Sequence, residues 1–335
     1  MEPNSVLTII WAGIVAFAVF SYIVLDGFDL GIGMLFPLLV DAGDRGRAMN
    51  SIAPVWDGNE TWLVLGGGSL MAAFPLAYAI IMPAIYAPLI AMLLGLVFRG
   101  VAFEFRWRTA RGRRYWDFAF FIGSATAATS QGIALGTILQ GVHVTGRAYA
   151  GGWWDWLTPF TLLCGASLTL GYAALGACWL NMKSEGGLQR RARQLAFWAG
   201  AGLVAGIIGV SAATPFLHYA YYQRWFVWPT VLVTAQVPLL VSLTTAAYFF
   251  NLQQGRALLA FLLVLALFAL SYLGLAISMF PYIVPPSISI WDAAAPANTQ
   301  AFMLVGALIL LPIILGYTGY AYWVFRGKVS TAGYH

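Results

Sequence analysis

Long apolar runs separated by short polar stretches dominate this chain. Nine of them approach the ~20 residues that a helix needs to cross a hydrocarbon core about 30 Å thick. They fall at residues 6–25, 61–80, 81–98, 118–142, 158–180, 195–217, 226–249, 257–279 and 300–325. The second and third run together through Pro75 and Pro83. Apolar residues are continuous within each run rather than alternating, which disfavours a lipid-facing β-barrel. Backbone in lipid must satisfy its own hydrogen bonds, and that selects helices. The pattern predicts an all-α polytopic membrane protein, with residues 1–335 forming a single integral membrane domain of about nine transmembrane helices.

Composition narrows the picture further. Of 335 residues, 61% are hydrophobic and 9% charged, against about 25% charged in a soluble domain. A water-facing surface cannot be built from this stock. The first run does not read as a cleaved signal peptide, which would begin with a positive n-region. Residues 1–10 carry no Lys or Arg, and Asp26 and Asp29 follow the apolar run. Cys164 and Cys178 share the fifth run, where fourteen helical residues hold them ~21 Å apart, beyond disulfide reach. The net charge of +5 is not a nucleic-acid signal, because the cations sit in loops, where they orient membrane proteins.

That loop charge is uneven. Arg45, Arg47, Arg99, Arg106, Arg108, Arg111, Arg113, Arg114, Lys183, Arg190, Arg191, Arg193, Arg256, Arg326 and Lys328 follow odd-numbered runs, leaving only Arg147 and Arg224 elsewhere. The positive-inside rule then sets the N-terminus outside and the C-terminus inside the cytoplasmic membrane. An odd number of crossings is required, and nine fits. The longest stretches outside the runs, 143–157 and 280–299, fall on the outer side.

Ionisable groups inside spans are expensive and tend to be functional. Asp26, Asp29, Asp57, Glu60, Arg99 and Glu104 all fall toward the cytoplasmic ends of the first three spans. Asp57 and Glu60 are three apart and share a helix face. On a functional reading these carboxylates line a proton entry, since a buried carboxyl can load and release protons near neutral pH. On a structural reading Arg99 pairs with one or two of them and clamps the spans together. The spacing leaves both readings open. Histidine is scarce, with His143, His218 and His335 only, and a multi-metal centre needs more His or Cys than this. No metal site is expected in this chain. Gly66, Gly67 and Gly68 suit close helix approach. Trp153, Trp154, Trp228 and Trp323 read as an interfacial aromatic belt.

Three segments resemble one known family. They are Asp26-Gly-Phe-Asp-Leu-Gly-Ile-Gly33, Asn50-Ser-Ile-Ala-Pro-Val-Trp-Asp-Gly-Asn-Glu-Thr-Trp62 and Phe98-Arg-Gly-Val-Ala-Phe-Glu-Phe-Arg106. With Pro285, Trp291-Asp292-Ala293 and Leu311-Pro-Ile-Ile-Leu-Gly-Tyr-Thr318, they resemble subunit II of cytochrome bd-type quinol oxidases, including its cyanide-insensitive branch. The resemblance runs in order over essentially the whole chain. It implies two four-helix bundles plus one peripheral helix. It implies a complex that oxidises quinol and reduces dioxygen to water, with protons for water drawn from the cytoplasm. The partner, subunit I, would carry haem b and haem b or d, and this chain none. A small single-span accessory subunit and a structural quinone are further occupants the family admits. Carried over by position, Asp57 is the proton-path carboxylate and Trp62 stands near an oxygen route from the lipid. Position 60 in the family accepts Glu or Gln, so the resemblance does not require the charge of Glu60. The rival readings are a purely structural assembly subunit and a proton-coupled secondary transporter. The latter calls for inverted repeats and midplane helix breaks, which this sequence does not display.

Overall fold

The computed structural model describes residues 3–109 and 111–329. Helix α1 (Pro3–Leu35) leads through a 3-10 turn to α2 (Ala42–Asn50). Then come α3 (Trp56–Ala73), α4 (Pro75–Ala84), α5 (Tyr86–Arg108) and α6 (Arg113–Gln140). A small hairpin, β1 (Val144–Thr145) with β2 (Ala148–Tyr149), precedes α7 (Pro159–Lys183) and α8 (Gly186–Ala213). Short helices α9 (Tyr219–Phe226) and α10 (Val231–Thr234) lead into α11 (Gln236–Gln253) and α12 (Ala257–Met279). The second hairpin, β3 (Tyr282–Val284) with β4 (Ile288–Ser289), is followed by α13 (Ile290–Ala293) and α14 (Ala297–Val324). Both hairpins are antiparallel.

The chain is an all-α polytopic membrane protein, as expected. Among the described residues, eight helices are long and apolar enough to cross a membrane. The ninth predicted crossing corresponds to α3, which is diluted by Asp57, Glu60 and Gly66–Gly68. The predicted boundaries at 61–80 and 81–98 differ from the helices found. The chain breaks at Phe74, whose φ of −132° and ψ of 61° leave the helical region. Pro75 follows, and the residue before a proline is pushed away from helical geometry. A second break falls at Ile85. Hydropathy does not register backbone breaks, so α3, α4 and the start of α5 merge in the sequence. At its other end α5 outruns the predicted 98 and reaches Arg108, with Arg99 and Arg106 buried in ion pairs along the extension.

Helices α1, α3, α5 and α6 form one four-helix group and α7, α8, α11 and α12 a second. The groups meet where α7 lies along α1 and α6. The contact is backbone to backbone. A Cβ on Gly31 would overlap the Tyr172 carbonyl, and one on Gly176 would overlap Gly31, so small residues set this helix distance. Residues 26–35 of α1 and Phe36 after it are buried on all sides. α14 is the outlier, with none of its apolar window buried inside the chain against 50% for α7. Leu311 and Ile314 pack on Ala18, Tyr22 and Trp62 at its middle, and polar contacts tie it near both ends. There Gln300 lies against Thr8 and Trp11, and Tyr322 reaches Asn59.

Candidate functional site

The buried stretch of α1 carries Asp26 and Asp29, neither of them exposed. Three residues apart on a helix, they share one face, which is turned toward α3 and α5. From α5, Arg99 donates Nη1 to Asp26 Oδ1 at 2.6 Å and Nη2 to Glu60 Oε1 of α3. The guanidinium lies 5.8 Å from the centroid of the Trp56 ring. Three helices are thus joined by one cation, which explains why an arginine is accepted inside α5. The planar fork of arginine can bridge two carboxylates, and a lysine ammonium cannot match that geometry.

Asp29 has a different partner. Asn59 Nδ2 donates to Asp29 Oδ2 at 2.7 Å and to the Leu25 carbonyl at 3.2 Å. Tyr322 of α14 donates its hydroxyl to Asn59 Oδ1 at 3.0 Å. On the other flank Tyr22 lies beside Asp26. Gln131 Nε2 donates to the Tyr22 hydroxyl at 2.9 Å, and Tyr172 donates to Gln131 Oε1 at 2.7 Å. Each aspartate keeps one buried oxygen without a hydrogen-bond partner among the described residues, Asp26 Oδ2 and Asp29 Oδ1. Chemically, three carboxylates face one guanidinium, with spare acceptor oxygens and a rim of neutral hydrogen-bonding groups.

Not every residue singled out in the sequence joins this cluster. Asp57 is exposed, one turn nearer the end of α3 than Glu60. It makes no ion pair among the described residues, so it is not the clamp for Arg99; Asp26 and Glu60 are. Glu60 is intermediate, with 28% of its side chain exposed. Glu104 is exposed on α5 and stands apart. Trp62 is buried, packed with Ala18 and Tyr22 and edge-on to Phe17 with ring centroids 5.6 Å apart. Its Nε1 has no partner among the described residues. Gly66 packs against Val19 of α1, whereas Gly67 and Gly68 face open space.

A second charged group was not foreseen. Asp117 of α6 accepts from Arg106 Nε at 2.5 Å and from Arg45 Nη1 at 2.9 Å. Arg106 is fully buried, over the rings of Phe36 and Trp107. Both arginines had entered the sequence reading as loop charges. The neutral members Asn59, Gln131, Tyr22, Tyr172 and Tyr322 were missed as well, and the only signal for them was a polar atom inside an apolar run.

The two described histidines lie away from the acidic cluster. His218 Nε2 sits 2.9 Å from the Gln140 carbonyl at the end of α6. His143 is exposed in the loop after α6, and His335 lies outside the described residues. No group of three or more His, Cys, Asp or Glu among the described residues could hold a metal ion.

The fold and the buried ionisable side chains define a polytopic helical membrane protein with charged groups paired inside its bundle. The family model for cytochrome bd terminal oxidase subunit II matches residues 7–325, and the chain belongs to that family. The cytochrome bd-I ubiquinol oxidase subunit 2 of Escherichia coli (strain K12) is 32% identical, over 98% of this chain and 97% of that protein. The cytochrome bd ubiquinol oxidase subunit 2 of Bacillus subtilis (strain 168) is 28% identical, over 96% of each. The structure of bd oxidase from Geobacillus thermodenitrificans superposes with a TM-score of 0.80 at 16% identity, covering 96% of this chain and 98% of that one. This last likeness speaks for the fold. The chain is therefore a multi-pass subunit of a bd-type quinol oxidase, an oxidoreductase complex of the respiratory chain that uses haems and includes a partner subunit.

Proposed function

We propose that this chain is the subunit without haem, and that it feeds protons from the cytoplasm toward a haem-bearing subunit I. The haems b and b or d then belong to that partner, in keeping with the engaged or exposed histidines here. The membrane is the bacterial cytoplasmic membrane, with the N-terminus periplasmic and the C-terminus cytoplasmic. The cation-rich ends of α5, α7 and α11 support that orientation through the positive-inside rule.

One observation carries the proton role. Carboxylates run from surface to interior along one path: Asp57 exposed, Glu60 partly exposed, Asp26 and Asp29 fully buried. Only one cation, Arg99, faces the last three. Burying unpaired charge is costly, and bound protons would relieve it. Each aspartate has a free oxygen on which a proton can sit. Glu104, away from this path, would act as surface charge that attracts protons. Trp62 flanks the path, and its buried ring contact with Phe17 suits a dry route for dioxygen from the lipid.

The test is Asp57→Asn in the assembled complex, read as oxygen consumption per haem beside melting temperature. Because Asp57 has no ion-pair partner among the described residues, the variant should assemble and melt normally. Turnover per haem should fall at least several-fold, and at most by the ~10²–10⁴-fold that general acid–base groups contribute. Normal turnover per haem would remove Asp57 from the path. A C-terminal fluorescent reporter should be active in the cytoplasm; a silent reporter there would overturn the orientation.

A further inference from the structure

The neutral row beside Asp26 has a direction. Tyr22 precedes Asp26 by four residues on α1, so the two share a helix face, and the phenol lies against the Asp26 carboxyl. Gln131 of α6 turns its amide nitrogen to the Tyr22 oxygen and its amide oxygen to the Tyr172 hydroxyl of α7. The opposite setting of that amide would strand a hydrogen. Tyr172 is fully buried, and Gln131 Oε1 is the one acceptor its hydroxyl has among the described residues. Tyr172 must therefore donate, Gln131 must donate in turn, and the Tyr22 hydrogen is left for the next group along.

That next group is Asp26. Its Oδ1 accepts from Arg99, while Oδ2 is buried with no hydrogen-bond partner among the described residues. Arg99 of α5, Glu60 of α3 and Asp29 of α1 are the charged groups around it, and Tyr172 of α7 and Tyr322 of α14 are the other phenols. Of all these, only Arg99 and Tyr22 bring a donor to the carboxyl. The far end of the row is fixed by packing. A Cβ on Gly27 would lie 2.7 Å from the Tyr172 ring, and Phe268 stacks on that ring with centroids 6.0 Å apart.

We infer that Tyr172 and Gln131 hold the Tyr22 hydroxyl as a one-way donor to Asp26, so that Tyr22 is the positioning residue for Asp26 as a proton site. Chains of hydrogen bonds polarise one another in a low-dielectric interior, which carries the effect of Tyr172 through to the carboxyl. An amide has donors and an acceptor but no titrating proton. The row therefore orients Asp26 and does not lead protons away toward α7. The inference rests on the proposed proton role for the use of the row, not for its existence.

The test uses the intact oxidase complex with Tyr22→Phe, Gln131→Met and Tyr172→Phe. Infrared difference spectra between acid and alkaline buffer show the carbonyl stretch of protonated carboxyls, and the band missing in Asp26→Asn belongs to Asp26. A carbonyl that accepts a hydrogen bond absorbs at lower wavenumber than a free one. The Asp26 band should move to higher wavenumber in Tyr22→Phe, by less in Gln131→Met and by least in Tyr172→Phe. Turnover per haem is then followed against pH. Removing a donor from a carboxylate favours its protonated form, so the alkaline fall in turnover should move up in Tyr22→Phe. About one pH unit is the scale of a hydrogen bond to a charged group. Tyr22→Phe/Gln131→Met should move it no further, since the two residues act in series. An unmoved Asp26 band in Tyr22→Phe would overturn the inference, whatever happens to melting temperature. So would spectra in which Asp26→Asn removes no band, because the row would then have no proton site to orient. If Tyr22→Phe does not assemble, Tyr172→Phe, which leaves Tyr22 and Asp26 intact, decides by the same band. A shifted band with an unmoved pH profile would keep the one-way row and remove Asp26 from the proton path, so the two readings fail separately.

Discussion

Two buried charged groups lie near the same end of the bundle, and their charge counts are opposite. Around Arg99 three carboxylates share one guanidinium, and acceptor oxygens are left over on Asp26 and Asp29. Around Asp117 two guanidiniums share one carboxylate, and donors are left over on Arg106. Arginine stays protonated at any working pH. The Asp117 group joins α5, α6 and the α2 segment as a bracket. On the proposed function, the surplus of titratable over permanent charge around Arg99, rather than burial of charge alone, would mark the proton site.

The sharpest way to break the comparison is Arg99→Ala. It leaves three carboxylates with no cation, and removing one partner of a buried pair costs about 3–5 kcal/mol. Little assembled complex should be recovered, judged by haem per unit of membrane protein. Near-normal recovery would mean that the three carboxylates are already neutral without Arg99.

Asp117→Ala should come next. It strands Arg106 in the interior, although Arg45, with 23% of its side chain exposed, can turn to water. Melting temperature and yield should fall, while turnover per assembled haem stays normal. A selective loss of turnover would erase the distinction between the two groups.

Asp29→Asn probes the surplus itself. An amide oxygen can still accept from Asn59, so assembly and melting should change little. Turnover per haem should drop several-fold. A drop in melting temperature with normal turnover would reassign Asp29 to holding α3 and α14 in place.

The smallest effect is expected at Asp292, outside the membrane. Its carboxylate accepts from the Ser289 hydroxyl at 2.5 Å and the Ser289 amide at 3.1 Å, which holds it below the usual aspartate range. A depressed carboxylate stabilises the fold above its unfolded-state pKa and loses that contribution as pH falls through the folded value. Asp292→Asn should therefore lower the melting temperature slightly at neutral pH and not in acid. An equal shift at both pH values would deny the carboxylate any role.

How much of this was legible in the sequence differs from group to group. Ionisable residues in apolar runs announced Asp26, Asp29, Glu60 and Arg99, because such residues have few reasons to be in a membrane. Their pairing was not legible: Arg99 could have answered Asp57 as readily as Asp26, and only the turn of α3 separates exposed Asp57 from Glu60. Asn59, hidden between two acids in the Trp56–Trp62 motif, holds Asp29, yet its partner Tyr322 is 263 positions away. Arg45 and Arg106 were counted for their sign, and sign says nothing of burial. Eight of the nine predicted crossings were legible as hydropathy. The break at Phe74 was not, since it comes from a proline inside an apolar stretch.

The all-round burial of residues 26–36 also bears on biogenesis. The first helix leaves the ribosome with two aspartates on its inner half. Arg99, the cation for Asp26, is translated 73 residues later, and the α7 glycine that seats against Gly31 later still. Until then α1 cannot adopt its final packing. Asp26 and Asp29 must wait at the membrane surface, neutralised or hydrated, for the rest of the chain. Closure around the first helix therefore waits for α5 and α7, and Asp26 and Gly31 are the positions left open until they arrive.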